Sequence, residues 1–75
     1  MITIDKIQTK ITEAIRQSGL TQIELARRLG IKQQTVSAYV HQSKMPSLDT
    51  FANLCAVLDL DPSEILCISE YKQNG

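Results

Sequence analysis

At 75 residues the chain has room for one small domain, and 43 % hydrophobic with 21 % charged residues is the balance of an ordinary globular protein. No apolar run approaches the roughly 20 residues a membrane helix requires, and the opening MITIDKIQTK lacks the apolar stretch and cleavage site of a signal peptide, so the expected location is the cytoplasm. Net charge is zero, but the charges are segregated: residues 1–47 carry seven basic and three acidic side chains, a net +4, and residues 48–75 carry one basic and five acidic, a net −4. A positive front and a negative back orient a molecule on a polyanion; a mixed solvated surface is the plain alternative.

The first helix is expected from Ile4 to Gln17, with Ile4, Ile7, Ile11, Ala14 and Ile15 at helical spacing as its buried stripe. Ser18-Gly19 ends it, and Leu20 turns inward. Alternation in Ile2-Thr3-Ile4 allows a short extended arm ahead of it. Thr21-Gln22-Ile23-Glu24 reads as a capping box, with Thr21 accepting from the Glu24 amide and Glu24 reaching back to Thr21. The helix it starts has Ile23, Ala26 and Leu29 as its apolar face. Gly30 follows, where a helix end favours a residue tolerant of positive φ.

A third helix runs from about Gln33 to His41. Val36, Tyr39 and Val40 face inward, Gln34, Ala38 and His41 outward, Ser37 lies at the edge and Gln33 nearer the inner flank. Gln42 to Pro46 form a loop. Ser47 caps a fourth helix, Leu48 to Leu58, with Phe51, Leu54, Cys55 and Leu58 inward. Asp61-Pro62-Ser63-Glu64 combines a cap, a proline in the first turn and an acid three residues after the cap, and opens a short fifth helix bearing Ile65 and Leu66. Residues 1–68 are then one domain and 69–75 a frayed tail.

The second and third helices, joined by a tight turn at Gly30-Ile31 with small Ala26 at their crossing, have the spacing of a DNA-binding helix-turn-helix. Through Gln22, Ala26, Gly30, Val36, Tyr39 and the run Pro46-Ser47-Leu48-Asp49-Thr50, the chain resembles the small domains of lambda-repressor and Cro type, over roughly residues 4 to 66. That resemblance implies an all-α, compact five-helix domain whose helices 2 and 3 form the helix-turn-helix. Two positions depart from the family's pattern. Lys32 stands where many members carry a capping Ser or Thr, and Gln42 near where many carry Gly.

The family's geometry puts Gln22, Lys32, Ser43 and Lys44 at the DNA backbone, as phosphate contacts. For bases, a glutamine amide pairs with adenine in the major groove, which makes Gln33 and Gln34 candidates. Ser37 suits several bases, and Ala38 suits a thymine methyl. By resemblance Gln34 is the foremost of these, and Gln33 is also placed to brace Gln22. Solvated side chains are the plain alternative for Gln33, Gln34, Ser43 and Lys44; Arg27 and Arg28 read as surface charges. By elimination Leu60, Ile65, Leu66, Ile68 and Tyr71 are a dimer interface or, equally, core packing of the last helix.

Cys55 and Cys67 form no metal-ligand pattern, and with one histidine no four-ligand zinc set exists. Cys55 lies on an apolar face as a small core residue; Cys67 is either the same or part of a dimer contact. No nucleophile pairs with His41 and no glycine-rich phosphate loop exists, so neither an enzyme nor a cofactor is expected. The leading expectation is a sequence-specific transcription regulator, a repressor that binds a palindromic operator in double-stranded DNA as a homodimer. The alternative is an antitoxin, or another protein-interaction module of the same fold, whose acidic back holds a basic protein partner. A third reading is a helix-turn-helix that no longer binds DNA.

Overall fold

Side-chain caps and left-handed residues divide this chain into its helices. A computed structural model describes residues 1–71, the side chain of Tyr71 excepted. Five α-helices occur in order, α1 (Ile4–Gln17), α2 (Gln22–Leu29), α3 (Gln33–Val40), α4 (Leu48–Leu58) and α5 (Pro62–Ile65), and a 3₁₀ turn spans Ile68–Tyr71. No strand occurs among the described residues, and the fold is all-α. No helix among them is long and apolar enough to cross a membrane. Residues 69–71, expected in a frayed tail, belong to the 3₁₀ turn; the rest of that tail, residues 72–75, lies outside the described residues.

Thr3 caps α1 by accepting from the Lys6 amide at 3.2 Å, so Ile2-Thr3-Ile4 is a helix start and not a separate arm. Thr21 accepts from the Glu24 amide at 3.1 Å, and Asp61 from the Ser63 amide at 2.9 Å. The Thr21 capping box is only half formed. Glu24 turns instead to Arg27, whose Nη2 is 2.6 Å away, and to Arg28 at 3.6 Å, because charged donors one turn on compete better than a single amide. Ser47 occupies the cap position of α4 without bonding an amide. Its hydroxyl donates to the Asp49 carboxylate at 2.6 Å, and this bond, with the Thr50 amide, holds that carboxyl below its usual pKa.

Helices α2, α3 and α4 end in one way. An amide returns five residues to a carbonyl, Ile31 to Ala26 (3.0 Å), Ser43 to Ala38 (2.9 Å) and Leu60 to Cys55 (2.8 Å). The residue before each amide is left-handed: Gly30 at φ 69°, Gln42 at 61° and Asp59 at 54°. Only Gly30 adopts that conformation freely; a side chain there costs roughly 1–2 kcal/mol, less for Asp. Gln42→Gly is therefore expected to raise stability by about 0.5–1 kcal/mol in urea unfolding, since glycine's greater unfolded freedom offsets part of the gain. A loss of stability would mean that the 3.5 Å bond from Gln42 Nε2 to Thr12 Oγ1 outweighs the strain.

The core joins Ile11, Ala14 and Ile15 of α1, Leu25 and Ala26 of α2, Val36 and Tyr39 of α3, Phe51, Leu54 and Cys55 of α4, and Ile65 of α5. Two expected core residues are outside it: Ile4 is 56 % exposed and Ile23 65 %. Ile4 lies in the first turn of α1, ahead of the helix's buried residues. Ile23 is displaced by Leu25, which is fully buried. At about 100° per residue, Leu25, Ala26 and Leu29 share one arc of α2, and Ile23 falls outside it. Both cysteines are free and buried, so Cys67 lies inside the fold and not on a surface open to a dimer contact. The one buried polar side chain among the described residues, Thr12, donates its hydroxyl toward the Tyr39 and Val40 carbonyls at 3.3 and 3.4 Å, joining α1 to the end of α3.

Candidate nucleic-acid interface

The most extensive helix packing in the molecule is between α2 and α3. Ala26 is buried there, with nothing beyond its Cβ to hold α3 away. Val36 and Tyr39 are buried on the inner side of α3 and set the rotation of that helix. Burial also raises the Tyr39 phenol above its ordinary pKa, opposed by its hydrogen bond to Thr50 and reinforced by Asp49.

That rotation decides where each candidate base reader stands. Gln33 and Gln34 are exposed at the start of α3, Gln33 more so than a place on the inner flank implies. Ser37 and Ala38 are half-buried one turn on, at the edge of the face, and His41 is exposed at its end. Neither glutamine side chain bonds to a described residue, and no hydrogen bond joins Gln33 to Gln22. Both amides are therefore free to meet a base without first breaking a bond. Lys32, the cap residue, makes no side-chain bond to the first amides of α3.

The candidate phosphate contacts fall at the start of α2, at the cap of α3 and in the loop after it. Gln22 is half-buried at the first position of α2, whose leading amides favour an anion. Lys32 and Lys44 are exposed and make no ion pair with a described residue. Ser43 is exposed, and its hydroxyl donates to the Ala38 carbonyl at 3.3 Å. Arg27 and Arg28 are held by Glu24, which leaves the lysines as the free cations beside α3.

Sequence reasoning missed what holds the loop after α3. Gln8 of α1 donates its amide to the Gln42 carbonyl at 3.2 Å, and Thr12 bonds the carbonyls just before it. At about 100° per residue Thr12 falls about 60° past Ile15, at the border of the apolar stripe, so the helical period of α1 carried no clear signal for it. Of the expected dimer surface, Ile65 is 7 % exposed and belongs to the core, because α5 turns that residue onto α1. Leu60 and Leu66 are half-buried, and Ile68 is 39 % exposed. The side chain of Tyr71 lies outside the described residues.

An all-α domain with two tightly packed helices, the second presenting an uncapped polar face, is the architecture of helix-turn-helix DNA-binding regulators. A helix-turn-helix family model matches residues 11–65, and the chain belongs to that family, in its Cro/C1-type branch. It is similar to the antitoxin HipB of Escherichia coli O6:H1 (strain CFT073), with 37 % identity over 73 residues, covering 89 % of this chain and 76 % of that protein. It is also similar to the antitoxin HipB of Escherichia coli K12, with 36 % identity over 73 residues, covering 89 % of this chain and 81 % of that protein. No solved structure matches it significantly.

Proposed function

We propose that the chain is a transcriptional repressor that binds a palindromic operator as a homodimer. The observation that carries this reading is the exposed start of α3, where Gln33 and Gln34 stand unbonded between Lys32 and the Ser43-Lys44 loop. In this reading Gln33, Gln34, Ser37 and Ala38 meet base edges, and Gln22, Lys32, Ser43 and Lys44 meet phosphates. One such face reads only a few base pairs, so two copies on a two-fold site supply the specificity. Leu60, Leu66 and Ile68 remain as the surface for that pairing. A repressor of this kind acts by occupying its site and blocking polymerase.

A second reading is favoured by the two relatives, both antitoxins. In it the acidic half holds a basic protein partner. A cleft between α1 and the α4–α5 corner, lined by Leu58, Leu60 and Ile65 with two carboxylates, Glu13 and Glu64, against one cation, Lys10, supports it.

Selection of bound duplexes from a random library at physiological salt tests the first reading. The expected result is an enriched palindrome with half-sites about 10 base pairs apart, or a multiple of one turn. A folded protein that enriches nothing would remove the operator reading and leave the antitoxin one, to be tested by co-purification of a second protein.

A further inference from the structure

His41 ends α3 on the same exposed row as Gln34, seven residues earlier and so about two turns along the helix. Its ring is held. Nδ1 lies 2.8 Å from the Ser37 carbonyl oxygen and 3.3 Å from the Ser37 hydroxyl. A carbonyl oxygen can only accept, so Nδ1 carries the proton of that bond, and Nε2 is the atom left for a ligand. In the neutral ring Nε2 is a bare acceptor. In the imidazolium it is a charged donor.

α3 has no basic residue in its last turn. α1 meets this end of α3 with Gln8 and Thr12, both uncharged. On α2, Arg27 and Arg28 both pair with the single carboxylate of Glu24, which leaves that group net positive. Tyr39 is buried, and Lys44 follows three residues later in the loop.

We propose that His41 is a proton-dependent DNA contact. With Nδ1 bound to Ser37, its imidazolium donates Nε2–H to an acceptor on the duplex, a phosphate oxygen or the N7/O6 edge of a guanine. The neutral ring sets a lone pair against the same acceptor, so affinity falls as pH rises and the ring gives up its proton. The inference rests on the DNA-binding reading and adds a contact that extends the base-reading row beyond Ser37 and Ala38.

The test is affinity for the selected operator and for a random duplex between pH 6 and 8, at fixed salt, for the wild type, His41→Ala and His41→Lys. Uptake of one proton changes affinity by up to about tenfold per pH unit. The wild type is expected to bind about tenfold tighter at pH 6 than at pH 8, His41→Ala to change by less than about twofold, and His41→Lys to bind tightly at both. His41 is exposed, and helicity of each variant confirms that the fold is kept. A gain shared by the random duplex, with a salt slope steeper by about 0.9 in the wild type than in His41→Ala at pH 6, assigns the acceptor to phosphate. A gain confined to the operator with equal slopes assigns it to guanine. The same pH profile in His41→Ala as in the wild type overturns this inference while leaving DNA binding in place. Absence of binding to any duplex overturns both.

Discussion

Leu25→Ala is expected to destabilise the fold by about 3 kcal/mol, while Ile23→Ala, two residues away, changes stability by less than about 0.5 kcal/mol. Leu25 is fully buried and joins the core that α1, α3 and α4 share, so truncation loses its transfer free energy and leaves a cavity the neighbours close only in part. Ile23 is 65 % exposed and has little to lose. At roughly 0.05–0.15 kcal/mol per residue, a chain this small holds on the order of 4–11 kcal/mol, so the Leu25 variant sits near the edge of folding at 37 °C. Urea unfolding at equal protein concentration measures both. Equal losses would mean that α2 is rotated relative to the structure, with Ile23 and Leu25 sharing the buried face. DNA binding should follow the same order, because Val36 and Tyr39 hold α3 through this core.

Gln34→Ala is expected to weaken operator binding by about 1–3 kcal/mol, roughly 5- to 150-fold, with no change on random duplexes. The side chain is exposed at the second position of α3 and makes no bond within the described protein, so removing it leaves the fold untouched. What is lost is a bidentate pair to one base, so preference should relax at a single base pair of the operator and nowhere else. Lys44→Ala is the control with the opposite signature. It should weaken specific and random duplexes alike and flatten the salt slope by about one unit, because a phosphate contact carries no sequence information. A uniform loss for Gln34→Ala across sequences would place Gln34 at the backbone. An unchanged slope for Lys44→Ala would remove Lys44 from the phosphate contacts.

Local chemistry by itself determined the helices of this protein. The bounds of α1 and α4 follow from their apolar periods, and Thr21, Gly30 and Asp61-Pro62 mark starts and ends because caps and left-handed residues act within one turn. The helix-turn-helix was legible for the same reason, since Ala26, Gly30 and Val36 meet geometric demands of a tight turn between two short helices. The polar row Gln34, Ser37, Ala38 and His41 was legible because the inward placement of Val36 and Tyr39 leaves it the opposite side of α3.

Tertiary structure decided what depends on neighbours distant in sequence. In α2 the choice between Ile23 and Leu25 turned on where α1, α3 and α4 converge, and an eight-residue helix is too short for its own period to settle that. Ser47 and Glu24 have the residue types of caps, yet the Ser47 hydroxyl donates to the Asp49 carboxylate and caps no amide, and Glu24 turns to Arg27, a charged donor that outcompetes an amide. Ile65 and Cys67 read equally as core or as interface, and the fold of α5 and the turn after it buried both. The loop after α3 is held by Gln8 and Thr12, more than 25 positions earlier in the chain, and Gln42 keeps its left-handed backbone under that hold. Those bonds close only when α1 packs against α3, because a hydrogen bond acts over a few ångströms of space and no pattern along the chain carries that distance.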